Sequence, residues 1–208
     1  MPIDFRLYLI SNRAQTAGRP LVAALQAAAQ AGVRAVQLRE KELAPRQMYN
    51  LAEEVRGVLD PLGARLLLND RADIAAAVGA AGVHLPGAGL TPATARRALP
   101  PGALVAASTH TLVEARFAEA SGADFLTFGP VFFTPSKAAY GDPPGLDALA
   151  AVCAAVRIPV FALGGVTPDR VAACRDAGAH GVAVIRAILA APSIPDAVAA
   201  FADALGGC

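Results

Sequence analysis

At 208 residues, 55% of them hydrophobic, the chain has ample material for one core and is too apolar to be disordered. A formal net charge of +1 gives no electrostatic case for nucleic acid or for an anionic membrane surface as a partner. Apolar runs are broken every few residues, too short to span a bilayer, and the start MPIDFRLYLISNR lacks the basic-then-apolar pattern of a secretory signal.

Short β-type runs alternate with Ala-rich stretches of helical period. Strands are expected at 6–10, 35–38, 65–68, 82–84, 104–107, 125–128, 160–163 and 181–185. Helices are expected between them, at 21–30, 45–59, 74–78, 92–98, 112–121, 146–156, 168–177 and 195–205, several with proline near their starts. Three helix exits repeat one device: AGV at 31–33, SGAD at 121–124 and AGAHG at 177–181, where glycine supplies a left-handed cap before the next strand. Regular alternation implies parallel strands, because each return crossover needs a helix. Eight such units over residues 1–208 fit a single-domain α/β fold, a (β/α)8 TIM barrel of minimal size. The rival, an open doubly wound sheet, would carry a G-x-G-x-x-G turn after its first strand, and LYLISNR has none. Cys153, Cys174 and Cys208 are odd in number and lack metal-ligand spacing; they read as reduced thiols, and the expected location is cytoplasmic.

A barrel places its chemistry at the C-terminal ends of the strands. The second strand runs into QLREKE, giving Gln37, Arg39 and Lys41, and the third into LLNDRAD, giving Asn69 and Asp70. The fifth ends in ASTHT, with Ser108, Thr109 and His110. The sixth is followed by FGPVFFTPSK, with Thr134, Ser136 and Lys137. Lys41 and Lys137 are the only lysines in the chain, and both fall on this face, where a mobile ammonium can neutralise phosphate or carboxylate.

LGGVTPDR, after the seventh strand, has two readings. Gly164 and Gly165 let backbone N–H groups approach an anion, with backbone from Ile185 and Arg186 completing a phosphate cradle; alternatively they only permit a tight strand-to-helix turn. His110 is likewise either a general acid or base near neutral pH or part of a helix-capping segment with Ser108 or Thr109 as the cap. His84 ends a strand, but the apolar turn after it, PGAGL, offers no charged partner. His180 lies in a helix exit, away from the expected active face.

The segments YLIS, QLREK, NDRADIA, GVHL, STHT, GADFLTFGPVFFTPSK and IPVFALGGVTPDRV resemble the thiamine phosphate synthase/TenI superfamily, in that family's order and over nearly the whole chain. The resemblance implies a (β/α)8 barrel that binds a thiazole phosphate as its small-molecule substrate. Synthases of the family join a pyrimidine methyl pyrophosphate to the thiazole phosphate and bind Mg²⁺ through two aspartates. One is matched here by Asp70. The other belongs to an HLGQED motif that reads HLPGAGL in this chain, so its position falls on Gly89.

The HLP turn and TPSKAAYGDPPGL resemble instead the TenI branch, thiazole tautomerases, which aromatise a thiazole carboxylate phosphate by a proton shift that needs no metal. That branch's catalytic histidine aligns with His110, and no cofactor is expected under this reading. The resemblance points first to this isomerase. The alternative is a thiamine phosphate synthase with an altered Mg²⁺ site, for which Arg39, Lys41, Asn69, Asp70 and Lys137 are the anion-handling set. A non-catalytic thiazole phosphate-binding regulator is a second alternative. The family's serine after the eighth strand is Arg186 here. Ala-rich outer helices would permit pairing of two copies.

Overall fold

The computed structural model describes residues 3–134 and 142–206. Eight parallel strands close into a barrel in sequence order: β1 Leu7–Ile10, β2 Ala35–Leu38, β3 Arg65–Asn69, β4 Gly82–Leu85, β5 Leu104–Thr109, β6 Phe125–Phe128, β7 Val160–Leu163 and β8 Gly181–Val184. Pairing of β1 with β8, with Tyr8 opposite Ala183, shuts the sheet and leaves no edge. Helices return the chain outside it: α1 Leu21–Gln30, α2 Pro45–Leu59, α3 Ala72–Ala77, α4 Pro92–Arg96, α5 Leu112–Ala120, α6 Gly145–Ala155, α7 Val171–Asp176, α8 Arg186–Leu189 and α9 Ile194–Ala204.

The expected barrel is therefore the observed fold, and five elements (β2, β6, β7, α1 and α2) begin and end where the pattern put them. Two departures matter for function. β5 continues through Ser108 and Thr109, which pair with Thr127 and Phe128, so both residues are ladder members and not loop. The cap of α5 is Thr111, whose side chain accepts from the Glu114 N–H, in place of the expected Ser108 or Thr109. The four-residue α8 after β8 lies in a stretch where no helix was expected.

Two apolar layers follow from strand alternation. Outward residues such as Leu9, Val36, Leu68, Leu126 and Val182 pack against the helices. Inward residues fill the barrel: Tyr8, Ala35, Leu67, Leu104, Ala106, Phe125, Phe161 and Ala183, with Phe5 beneath them. Phe5 closes the N-terminal end, its ring 5.3 Å from Phe161 and 5.6 Å from Phe125 between centroids. The interior is thus a packed floor, and the polar side chains rise above it toward the other end.

Candidate active site

The C-terminal mouth of the barrel collects the polar residues expected there. Gln37 ends the inward series of β2 and is only 2% exposed. Asn69 closes β3, half-buried, and Ser108 stands half-buried near the end of β5. Arg39 follows β2 half-buried, while Lys41 is exposed in the same loop. Thr134 is half-buried at the edge of the described residues; Ser136 and Lys137 lie outside them.

His84, an unassigned strand end in the sequence, proves to be the centre of a buried polar chain. Its side chain is 1% exposed. Gln37 Nε2 donates to the Tyr8 hydroxyl at 3.3 Å, and that hydroxyl lies 3.2 Å from His84 Nδ1. On the far side, His84 Nε2 lies 2.9 Å from Ser108 Oγ and 3.4 Å from Thr127 Oγ1. Burial first, and the nearby Arg39 charge second, push the imidazole pKa down to about 3. His84 is therefore a neutral hydrogen-bonding element of the wall. Burial also raises the Tyr8 phenol above its ordinary range.

A second buried group fixes the Arg39 loop. Glu40 is 2% exposed, with one carboxylate oxygen accepting from the Ser11 hydroxyl and the other from the Arg13 N–H at 3.0 Å. Ser11 Oγ in turn accepts from the Arg39 N–H at 2.8 Å. This knot ties the loop after β1 to the loop after β2. Neither Glu40 nor Tyr8 was singled out in the sequence; strand alternation marks Tyr8 as inward, but nothing local marks Glu40 as buried.

Asp70 departs from ordinary backbone. Its φ is +62°, the left-handed region that few non-glycine residues adopt and that Asp tolerates best. Its N–H donates to the His84 carbonyl at 2.9 Å, which holds the turn in place. The carboxylate is exposed, and among the described residues it takes no hydrogen bond or ion pair; Arg71 beside it is engaged with Asp73 instead. No cluster of three metal-ligating side chains occurs among the described residues. Asp70 with the Asn69 amide oxygen still suits Mg²⁺ in its usual manner, in which one or two carboxylates share the ion with substrate phosphate and water.

His110 is oriented from two sides. Its N–H donates to Glu114 Oε2 at 2.6 Å, and its Nδ1 meets the Gly129 carbonyl. A carbonyl only accepts, so Nδ1 carries the proton, and in the neutral ring Nε2 is left as the basic nitrogen.

The glycine loop serves the fold as well as any ligand. Gly164 and Gly165 have φ of +98° and +64°. A β-carbon at Gly164 would lie 2.6 Å from Pro130 Cα, and one at Gly165 2.6 Å from the Phe133 carbonyl oxygen. Val131 and Phe132 donate their N–H groups to the carbonyls of Leu163 and Gly164, and Arg170 braces Gly165 by a 2.7 Å bond to its carbonyl. The N–H groups of Gly164 and Gly165 make no hydrogen bond among the described residues. Close backbone packing therefore requires glycine at both positions, and the two N–H groups carry no partner among the described residues. Ile185 precedes α8 and Arg186 opens it, its side chain exposed.

A cleft of about 430 Å³ opens at the opposite end of the barrel, beside Cys153, Arg157, Arg175 and His180. Arg175 Nη1 donates there to the carbonyls of Ala179 and His180, and His180 Nε2 lies 3.1 Å from the Phe5 carbonyl. These groups tie strand starts together, as the N-terminal face of this fold does.

Comparison with known proteins agrees with this geometry. A Geobacter sulfurreducens protein, provisionally named thiamine-phosphate synthase, is 53% identical over 190 residues, 91% of this chain and 89% of the relative. The thiamine-phosphate synthase of Moorella thermoacetica is 41% identical over 188 residues, 90% of each chain. Among solved structures, the thiamine phosphate pyrophosphorylase of Pyrococcus furiosus superposes with a TM-score of 0.87 at 31% identity, covering 97% of this chain and 95% of the other. With residues 7–188 matching its profile, the chain belongs to the thiamine monophosphate synthase family, whose members serve thiamine biosynthesis.

Proposed function

We propose that this chain is a thiamine-phosphate synthase, a transferase that joins a pyrimidine methyl diphosphate to a thiazole phosphate with departure of pyrophosphate. This reverses the order of preference drawn from the HLP turn, TPSKAAYGDPPGL and His110, because the relatives named above carry the synthase name. The observation that carries the proposal is the grouping of Arg39, Asn69 and Asp70 at the ends of the adjacent strands β2 and β3, with Lys41 in the same loop. A diphosphate leaving group needs such a concentration of positive charge and hard donors; the proton shift of a single thiazole phosphate needs less.

Under this reading Arg39 and Lys41 receive the diphosphate. Asp70, with Asn69, would hold Mg²⁺, which when bound neutralises the departing pyrophosphate. The N–H groups of Gly164 and Gly165, unpaired among the described residues, receive the thiazole phosphate with backbone at Ile185 and Arg186. Gln37 and Ser108 line the inner wall for the heterocycle. Thr134, Ser136 and Lys137 are the remaining substrate-binding residues of this reading, the last two outside the described residues.

One observation favours the tautomerase as a second reading. His110 presents a basic Nε2, and Gly89 stands where the family's second aspartate would be. Two assays on the same preparation separate the activities. Pyrimidine diphosphate plus thiazole phosphate should give pyrophosphate that stops on chelation of Mg²⁺. Metal-independent aromatisation of the thiazole carboxylate tautomer, with no pyrophosphate released, would overturn the synthase reading.

A further inference from the structure

The polar chain through the barrel has a direction. Gln37 gives an N–H to the Tyr8 oxygen, so the Tyr8 hydrogen is free for its other hydrogen-bond partner among the described residues, His84 Nδ1. An Nδ1 that accepts leaves the proton of a neutral imidazole on Nε2. That proton points at Ser108 Oγ, 2.9 Å away, with Thr127 Oγ1 as a longer second acceptor. Ser108 then receives at its lone pair, and its own hydrogen is left to turn toward the mouth. Packing holds the imidazole in this orientation: the His84 ring stacks on Tyr8 with centroids 5.7 Å apart, and Phe125 meets it edge-on at 6.2 Å.

We infer that His84 is a positioning residue, locked by Gln37 and Tyr8 as the Nε2–H tautomer, which occupies one lone pair of the Ser108 hydroxyl and orients its hydrogen toward substrate. The mouth thereby favours a heterocycle that offers a hydrogen-bond acceptor, such as a ring nitrogen, at Ser108. With one lone pair taken by the fixed N–H, the Ser108 hydrogen is the group directed at a substrate acceptor. The substrate part of this inference rests on the proposed function, whereas the tautomer rests on the chain alone.

Long-range ¹H–¹⁵N spectra of histidine-labelled protein test the tautomer without any substrate. His84 should show a protonated Nε2 and a bare Nδ1 in the wild type, and Tyr8→Phe should erase that preference. A wild-type ring protonated on Nδ1 overturns the inference, whatever reaction the protein performs. The kinetic arm uses His84→Gln, whose amide can still donate to Ser108, and His84→Leu, which cannot. KM for the acceptor-bearing heterocycle should stay within about threefold in the first and rise about tenfold in the second, the worth of one hydrogen bond. Equal KM values in the two variants also overturn it. Loss of all synthase activity in the wild type would sink the proposed function and leave the spectra to decide the relay.

Discussion

Asp70 and Gly89 lie so close that a β-carbon at position 89 would fall 2.9 Å from Asp70 Oδ1, with Pro86 at the same distance on its other side. The two positions that the sequence resemblance pairs as aspartates are thus neighbours in space, although only one carries a carboxylate. Restoring the pair should repel at first and then bind. Gly89→Asp should lower the metal-free melting temperature, because like charges in contact cost about 1 kcal/mol or less at a solvated site. Millimolar Mg²⁺ should then recover that loss and raise metal affinity above wild type. Thermal melts with and without Mg²⁺ check it; a melting temperature indifferent to metal would show that position 89 does not face the ion.

The left-handed backbone at Asp70 makes a second, independent prediction. A residue held at φ +62° with no side-chain bond among the described residues is kept for something other than stability. Asp70→Gly should be more stable than Asp70→Ala by about 1 kcal/mol, since alanine bears the full left-handed penalty. Both should lose pyrophosphate release while remaining folded. Denaturant midpoints beside a pyrophosphate assay separate the two effects.

Strand alternation and helix exits made the barrel legible, because a period of two and glycine caps are written locally. The ends of β2 and β3 made Arg39, Asn69 and Asp70 legible for the same reason. His84 was legible as a strand end but not as a hub, since its partners Tyr8 and Ser108 sit 76 and 24 residues away in the chain. Glu40 was hidden by its neighbours. In QLREKE it looks like one charge in a solvated run, and only the Ser11 and Arg13 contacts from the preceding loop bury it. Thr109 looked like loop because the hydroxyls of STHT mimic a cap, yet its side chain donates to the Thr127 carbonyl across the ladder.

Buried His84 should give the protein an acid-side stability slope. In the unfolded chain an imidazole titrates near 6.5, and in the barrel burial holds it to about 3. The unfolded state therefore takes up the proton first, and stability present above pH 6.5 is lost as pH falls toward 3. The loss is about 1.4 kcal/mol per pH unit at most for this one group. His180, also lowered chiefly by burial, acts in the same sense. Asp4 and Asp73, held below the ordinary carboxylate range by their hydrogen bonds to Arg65 and Arg71, contribute only at lower pH, below about 4. Urea midpoints at pH 7, 6 and 5 should fall steadily in the wild type and less steeply in His84→Gln. Parallel slopes would mean that the imidazole is not shielded.

Removing Glu40 should act on stability and on diphosphate binding together. Glu40→Ala strips partners from the buried Ser11 hydroxyl and the Arg13 N–H, a cost of roughly 2–3 kcal/mol for charged hydrogen bonds lost inside the fold. It also frees the loop that carries Arg39 and Lys41, so KM for the diphosphate substrate should rise more than KM for the thiazole phosphate. Glu40→Gln, which keeps an acceptor for one donor, should fall between. A variant that loses stability with both KM values unchanged would confine Glu40 to the fold.

Gly164 separates packing from anion binding in the loop after β7. Alanine there must accept φ +98° and bring its β-carbon within 2.6 Å of Pro130 Cα, which is backbone and cannot swing aside. Gly164→Ala should therefore cost about 2 kcal/mol or more, through strain and overpacking together. Gly165→Ala meets the Phe133 carbonyl at a similar distance and should cost a comparable amount. Displacing this loop should also misdirect the N–H groups of Gly164 and Gly165. The wild type should be stabilised by thiazole phosphate in thermal melts, and the variants should lose most of that gain even at temperatures where they are fully folded. If ligand stabilises wild type and variants equally, the glycines serve only the turn against Pro130 and Phe133, and the phosphate is held elsewhere at the mouth.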